Sequence, residues 1–211
     1  MYTLYGMTGS CSMAVHVILE ELKQQYKYID VRVPAGQSKP AEFLKANPRG
    51  SVPVLVEEDG TVIREGGAII TYLTDKHNSP LLPKGLARGK ALEWLMFANA
   101  TLHPTYAKVF HALGSTQDAA QKDQLITTTL ERINTLWADV NTQLGKSKYV
   151  AGDEVTAGDI LLSVIANWLQ SNYGSKITLG ENTKRMIKAV TARPAFQKAL
   201  GDEKVTYNAA A

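Results

Sequence analysis

The feature that most limits the fold is a change of hydrophobic pattern partway along the chain. Up to about residue 76, short apolar runs alternate with helical stretches in the order β-α-β-α-β-β-α. Beyond residue 86 the strand signals disappear, and apolar residues recur only at helical spacing. This change predicts a small α/β domain followed by an all-helical domain.

The α/β part is predicted to contain a mixed sheet. We expect strands over residues 2–5, 28–33, 54–57 and 61–64, with helices after the first strand, over 41–46 and after the last strand. The helix between the first two strands requires them to run parallel. Asp59-Gly60 is a strong hairpin signal, so the last two strands are expected to pair antiparallel.

A linker is predicted where Pro80, Pro83 and Gly85 cluster. We therefore assign residues 1–78 to the first domain, 79–86 to the linker and 87–211 to the helical domain.

Two long apolar stripes predict long helices in the second domain. The first extends to Leu113 and contains Pro104, which is expected to kink the helix. The second ends at Gly145. Further along, Thr156 and Asp159 have the spacing of a capping box, which indicates a role in folding rather than in catalysis.

Composition excludes several classes of protein. The net charge of +3, from 23 basic and 20 acidic residues, is too small to indicate a nucleic-acid-binding protein. A single cysteine excludes an internal disulfide and fits a reducing compartment. No secretory signal and no membrane-spanning apolar run is visible, so we expect a cytoplasmic protein without a membrane partner.

The only cysteine, Cys11, is predicted to lie at the junction of the first strand and the first helix. Gly9 supplies the turn, and Ser10 or Ser12 can cap the helix. Free backbone N–H groups and the helix dipole would then favour a thiolate and attract an anionic ligand. A lone cysteine is also often a small buried hydrophobe, so its position alone leaves both roles open.

Several segments, in the same order along the chain, resemble the bacterial beta-class glutathione transferases. They are residues 9–16 (GSCSMAVH) with 19–21 (LEE), 47–55 (NPRGSVPVL), 65–69 (EGGAI), 156–159 (TAGD) and 193–196 (RPAF). The resemblance extends from about residue 2 to residue 201. It implies a thioredoxin-like N-terminal domain, an all-helical C-terminal domain and a homodimer.

The resemblance also implies a glutathione site in the first domain. Val52 and a cis Pro53 would present a short backbone edge to the cysteinyl part of glutathione. Glu65 would hold the γ-glutamyl amine, and the N–H groups of Gly66 and Gly67 the γ-glutamyl carboxylate. The glycyl carboxylate would bind Lys39.

The implied chemistry is attack of a glutathione thiolate on a hydrophobic electrophile, a detoxification reaction. The N–H groups of Cys11 and Ser12 and the hydroxyl of Ser10 would stabilise this thiolate. Cys11 could also form a mixed disulfide with glutathione and so carry out thiol–disulfide exchange. In the family, a histidine at about the position of His103 faces the cleft. The alternative is that His103 is a surface residue or only satisfies the helix kink beside Pro104.

Other side chains complete the predicted site. Tyr106 and Phe110 are candidates for lining the electrophile pocket. His103 and His111 have no evident third ligand, so no metal is expected. We expect His16 and His77 to be ordinary surface or helix-end residues.

One departure from the family's pattern keeps a second function open. Gly66 replaces the serine whose hydroxyl usually holds the γ-glutamyl carboxylate, and a hydrogen bond to a charged group contributes about 1.5–3 kcal/mol. Glutathione affinity is therefore expected to be roughly tenfold weaker or more. The alternative to an enzyme is a non-catalytic binding or regulatory module built on the same fold.

Overall fold

The computed structural model describes residues 1–34, 36–114 and 118–209. Contacts divide the chain into two compact units. The first contains Met1–Arg88 and Thr191–Tyr207, and the second contains Gly89–Val190 with Asn208 and Ala209. Residues 191–207 thus have their contacts in the first unit, although the sequence assigns them to the helical domain. Within the described residues, no helix combines the length and the apolar character that crossing a membrane requires.

The elements alternate as predicted in the first part of the chain and are helical afterwards. The first part contains β1 (Tyr2–Gly6), α1 (Ser12–Glu21), β2 (Tyr26–Asp30), α2 (Ala41–Ala46), β3 (Val54–Val56), β4 (Val62–Arg64) and α3 (Gly66–Lys76). The remainder contains α4 (Leu86–Met96), a π-helical segment (Phe97–Leu102), α5 (His103–Gly114), α6 (Ala119–Leu144), α7 (Ala157–Ala166), α8 (Gln170–Tyr173), a 3-10 turn (Gly174–Lys176), α9 (Glu181–Thr191) and α10 (Pro194–Glu203).

The sheet of the first unit is mixed, as expected. Its strand order is β2-β1-β3-β4. β1 is parallel to β2, and β3 is antiparallel to both β1 and β4. The predicted order β-α-β-α-β-β-α is therefore confirmed, and the sheet places the end of β1 beside the start of β3.

The second strand lies earlier in the chain than predicted. β2 pairs with β1 from Tyr26 to Asp30, whereas the alternation of side chains had suggested residues 28–33. The Asp30 carboxylate ends the strand, because it accepts a bond from Arg32 N at 2.8 Å and one from Thr8 Oγ1 at 2.7 Å. These bonds turn the chain away from the ladder.

α10 packs against α1 inside the first unit. Arg193, at the start of α10, forms a two-point ion pair with Glu21 at the end of α1, with N–O distances of 2.6 and 2.8 Å. Such forked pairs fix orientation as well as distance. This ion pair is one of the contacts that join the end of the chain to the first unit, and the bond between Glu203 and His16 is another.

His16 was predicted to be an ordinary surface or helix-end residue, and this prediction is wrong. It lies on α1 and is fully buried, because β2 and α10 cover the polar side of that helix. His77, by contrast, lies at the end of α3, where one ring nitrogen is 2.8 Å from the Tyr2 hydroxyl.

The long helix of the second unit is interrupted, as predicted, and the interruption is a π-helical segment between α4 and α5. His103 N donates to Ala98 O, five residues earlier, which is the bonding pattern of a π-turn. Pro104 follows directly and has no N–H to continue the preceding helix. The interruption brings His103 to the first position of α5.

Asp159 organises the start of α7, as the capping-box pattern predicted. Its carboxylate accepts bonds from Thr156 N and Thr156 Oγ1, both at 2.8 Å, and from Val150 N at 2.9 Å. Asp159 is fully buried, so these bonds replace the water that its carboxylate has lost.

We predict that Gly158→Ala destabilises the protein. A Cβ at this position would lie 3.1 Å from Leu95 N and 3.2 Å from Trp94 C, which are backbone atoms that cannot rotate away. We expect a loss of about 1–3 kcal/mol in the free energy of unfolding.

The matched control is Gly89→Ala, also in a helix, where a Cβ would meet nothing within 4 Å. This variant should gain up to about 1 kcal/mol from helix propensity. Equal effects of the two substitutions in chemical denaturation would contradict the close packing at Gly158.

Candidate functional site

Ser12 fixes the loop that joins β1 to α1. Its hydroxyl is buried, accepts a bond from Met7 N at 3.0 Å and donates to Met7 O at 3.2 Å. The Ser10 hydroxyl lies 2.9 Å from it, and Ser10 Oγ in turn accepts the Ser12 N–H at 3.3 Å. Both serines therefore stabilise the loop, which carries Cys11 at the start of the helix.

Two glycines make room for this loop. A Cβ on Gly6 would lie 2.6 Å from Ser12 Oγ and 2.7 Å from the Tyr28 ring. Gly9 has a φ of +69°, a conformation that side chains disfavour. Gly9 was predicted as the turn residue. Gly6 was missed, since its constraint comes from Tyr28 on another strand.

The loop brings Cys11 against the segment before β3. Cys11 Sγ donates a weak hydrogen bond to Val52 O, with an S–O distance of 3.6 Å. The Val52-Pro53 peptide bond is cis, as the resemblance implied. Residues from two of the predicted motifs, 41 positions apart, thus meet at one point.

The expectation that the loop favours a Cys11 thiolate is wrong for the ligand-free protein. Desolvation by burial raises the pKa of Cys11 to about 11. Bonds from the N–H groups of Cys11 and Ser12 and from the Ser10 side chain lower the pKa, but they do not offset the burial. The negative charge of Glu65 raises it further. Cys11 is therefore a neutral thiol at pH 7.

Glu65, Gly66 and Gly67 lie where β4 turns into α3. Glu65 has a φ of 71° and a ψ of 118°, an unfavourable conformation for a residue with a side chain, and such strain is often found at functional sites. Its exposed carboxylate pairs with Arg49 Nη1 at 3.2 Å. α3 begins at Gly66, so the first N–H groups of the helix have no partner within it.

Lys39 lies beside the segment that precedes Pro53. Its ammonium group donates to Gly50 O at 2.6 Å and lies 5.6 Å from the centre of the Phe43 ring. Gly50 is two residues before Val52. Lys39, Val52 and Cys11 are thus linked through one short stretch of chain.

The second unit brings together three predicted residues around Trp168. Ring centres lie 4.9 Å from Trp168 for His103, 5.8 Å for Tyr106 and 6.0 Å for Phe110. Their spacing along α5 places them on one face of the helix. Trp168 was not among the predicted site residues, because nothing in its own sequence neighbourhood points to α5.

These three residues differ in exposure. Tyr106 is fully buried, and its hydroxyl accepts the Trp137 indole N–H at 2.9 Å, so its ring does not face solvent. Phe110 is 45% exposed and is free to contact a ligand. Burial lowers the pKa of His103, which favours the neutral ring. The roles of these residues in a reaction stay predictions.

Among the described residues, one cluster has the spacing of a metal site. His16, Glu20 and Asp202 each offer an atom within 4.8 Å of the others. The Lys198 ammonium already contacts both carboxylates, at 3.3 Å from Glu20 and 2.6 Å from Asp202. Lys198 thereby compensates one of these two negative charges.

We predict that alkylation of Cys11 by iodoacetamide accelerates up to a pH of about 11, because only the thiolate reacts and burial raises the pKa to that value. In Ser10→Ala the midpoint of the curve of alkylation rate against pH should lie at a higher pH, since the Ser10 side chain lowers the pKa of Cys11. The rate is measured by intact mass. A plateau below pH 9 would show that burial does not dominate.

We predict that Tyr106→Phe lowers the free energy of unfolding by about 1–3 kcal/mol, because the buried Trp137 N–H loses its acceptor. Phe110→Tyr is the control: it adds a hydroxyl to an exposed ring and should change stability by less than about 0.5 kcal/mol. Thermal unfolding compares the two. Similar stabilities would contradict the structural role of Tyr106.

Comparison with known proteins gives a consistent result. Residues 4–81 match a family model described as "Glutathione S-transferase, N-terminal domain". The chain is similar to glutathione S-transferase GstB of Escherichia coli K12, with 30% identity over 204 residues, covering 95% of this chain and 98% of GstB. It is 34% identical over 174 residues to glutathione S-transferase GST-4.5 of Xanthomonas campestris, covering 78% and 81%.

Solved structures agree. A glutathione transferase of Methylococcus capsulatus has a TM-score of 0.82 and 27% identity, covering 98% of this chain and 100% of that one. The bacterial transferase BphK, in a ternary complex, has a TM-score of 0.81 and 26% identity, covering 96% and 100%.

Proposed function

The chain belongs to the glutathione S-transferase family, and we propose that it transfers the thiolate of glutathione to small hydrophobic electrophiles. One observation carries the proposal. The loop after β1 places a neutral Cys11 thiol at the backbone of Val52, with Ser10 and Ser12 on either side of Cys11 in the chain. This arrangement offers hydrogen bonds to a second sulfur in the place where a peptide can pair with Val52.

Glutathione would lie along the first unit with its glycyl end at Lys39 and its γ-glutamyl end at the start of α3. Its cysteinyl backbone would pair with Val52, and its γ-glutamyl end would reach Glu65 and the N–H groups of Gly66 and Gly67. Lys39 would exchange its bond with Gly50 O for the glycyl carboxylate, which is a charged and therefore stronger acceptor. The positive N-terminus of α3 supports the γ-glutamyl carboxylate.

The raised pKa of Cys11 defines its role in transfer. A neutral thiol donates its proton, and in the ligand-free protein that proton is directed at Val52 O. With glutathione bound, the same S–H could be donated to the glutathione thiolate. The N–H groups of Cys11 and Ser12 would share that stabilisation. The Cys11 thiol then acts as a donor and not as the attacking group.

This role favours conjugation over thiol–disulfide exchange as the main activity. Exchange requires a thiolate at Cys11, and burial opposes its formation. A non-catalytic module is not favoured either, because the relatives that match nearly the whole chain are named transferases.

The electrophile is proposed to be apolar and flat. Phe110 and the imidazole of His103 lie against the Trp168 indole on one face of α5 and would supply aromatic contacts. We further propose that the protein is a homodimer that acts in detoxification in the cytoplasm. The proposed reaction involves no metal and no nucleic-acid partner. We propose that 1–78 forms the glutathione-binding part, 79–86 the linker and 87–211 the part that supplies the electrophile site, although residues 191–207 pack in the first unit.

The test is the initial rate of glutathione conjugation to an activated aryl chloride, such as chlorodinitrobenzene. We expect a glutathione-dependent rate that saturates in the wild type and is reduced, though not abolished, in Cys11→Ala, because the backbone donors remain. Reduction of a glutathione mixed disulfide should be lost in that variant. No glutathione-dependent rate with any of several aryl and alkyl halides would refute the proposal.

We predict that Gly66→Ser strengthens glutathione binding by roughly tenfold or more, because the new hydroxyl can donate to the γ-glutamyl carboxylate. Ala68→Ser is the matched control: it adds the same hydroxyl in the same turn of α3, at an exposed position. Calorimetric titration measures both. Unchanged affinity in Gly66→Ser would place the γ-glutamyl group elsewhere.

A further inference from the structure

A line of hydrogen bonds in the first unit joins α1, β2 and α10 behind the loop that carries Cys11. We call its four side chains the proton chain: Glu203, His16, Tyr26 and Glu20. Glu203 Oε1 lies 2.9 Å from His16 Nδ1, and His16 Nε2 lies 2.7 Å from the Tyr26 hydroxyl. The Tyr26 hydroxyl donates to Glu20.

The three contacts of the proton chain require three protons. Two ionised carboxylates, a neutral imidazole and a phenol provide only two. Because Tyr26 gives its proton to Glu20, His16 Nε2 must carry a proton to bond Tyr26. His16 Nδ1 then needs another to meet Glu203. If the Tyr26 hydroxyl turned toward His16, the Glu20 contact would lack its proton instead, so the count does not change.

The surrounding charges favour the imidazole as the site of the third proton. Glu203, Glu20 and Asp202 face the ring, with Asp202 Oδ2 at 3.7 Å from Nε2. Lys198 compensates one of these three charges. A second positive charge on His16 leaves a smaller imbalance than a neutral ring would, and an opposite charge nearby favours the ionised form.

The two tyrosines of β2 remain protonated beside His16. Desolvation, followed by the bond to Glu20, raises the pKa of Tyr26. Desolvation and the charge of Glu203 raise the pKa of Tyr28, whose ring stacks on His16 with a centroid distance of 5.0 Å. Neither phenol is therefore ionised near neutral pH, so neither gives up its proton to His16.

Glu203 connects the proton chain to the Cys11 loop. Its second oxygen, Oε2, accepts the Gly9 N–H at 2.8 Å. Gly9 is two residues before Cys11, and Glu203 is only 4% exposed. The orientation of the Glu203 carboxylate, which His16 holds from one side, thus determines where Gly9 is held on the other.

We propose that His16 is an imidazolium paired with the buried Glu203 carboxylate, and that this pair positions the Gly9–Cys11 loop. Glu203 and His16 are positioning residues in this proposal, since they act on Cys11 through Gly9. The pair contains no atom of the glutathione site, so it exists whether or not the protein transfers glutathione.

The extra proton makes folding depend on pH. Above about pH 6.5, where an unfolded histidine is neutral, the folded chain holds one proton more than the unfolded chain. The stability that depends on this extra proton is therefore larger at lower pH and decreases as the pH rises. We expect the folding equilibrium constant to fall by up to about tenfold per pH unit in this interval.

Glu203→Gln isolates this effect. A glutamine oxygen can still accept the Gly9 N–H, and its amide N–H can supply the third proton while His16 is neutral. The pH dependence of chemical denaturation between pH 7 and 9 should therefore be smaller by about one proton in Glu203→Gln.

Glu57→Gln is the matched control. Glu57 is also a carboxylate of the first unit, but it is only partly buried. It bonds Lys76 at 2.8 Å, away from His16. This variant should retain the wild-type pH slope. A slope in Glu203→Gln equal to that of the wild type would overturn the proposal.

The protonation of His16 is read directly by nitrogen-15 NMR of the wild-type protein, with Glu203→Gln used to assign its signals. Two protonated ring nitrogens at pH 7 are expected in the wild type and one in the variant. A wild-type His16 with a single protonated nitrogen would refute the imidazolium, even if no variant folds.

Hydrogen exchange separates positioning from stability alone. The Gly9 amide should stay protected in Glu203→Gln and exchange at least about tenfold faster in Glu203→Ala under native conditions, beyond any change at amides in the β-sheet. Equal protection of Gly9 in both variants would show that Glu203 does not position the loop.

Discussion

The buried Ser12 hydroxyl is the interaction on which the candidate site depends. It bonds both the N–H and the carbonyl of Met7, and so closes the loop between β1 and α1 into one geometry. Cys11 is directly adjacent to Ser12, and its sulfur therefore lies against Val52. Loss of these bonds would remove one of the contacts that hold the Cys11 loop, the Gly9–Glu203 bond being another.

Two opposing effects act on the Cys11 sulfur, and their balance determines its chemistry. Backbone donors at the helix start stabilise a negative charge, whereas loss of water destabilises it. Burial is the stronger effect in the ligand-free chain, so the thiol keeps its proton. A bound thiolate would meet the same donors and the Cys11 S–H together. The burial that keeps the Cys11 thiol protonated thus suits Cys11 to donate a hydrogen bond to the sulfur of glutathione.

Local patterns predicted the order of the elements and the position of the β1–α1 loop, because apolar periodicity and turn residues depend on neighbours in sequence. The roles of the Val52-Pro53 turn and of the start of α3 came from the resemblance to a known family, and they stay predictions. His16 was assigned wrongly because its partner Glu203 lies 187 residues away. The ionisation of Cys11 was also wrong, since burial cannot be deduced from the loop alone. Tyr106 and Phe110 share a helical face, and only packing distinguishes the buried ring from the exposed one.

The central claim is that a glutathione sulfur and Cys11 share the pocket formed by the loop after β1. A crystal structure of the protein with glutathione tests it most directly. The account predicts that the cysteinyl backbone of glutathione pairs with Val52, with its sulfur within hydrogen-bonding distance of Cys11. Glutathione bound elsewhere, or a crystal without glutathione after exposure to millimolar ligand, would contradict the account.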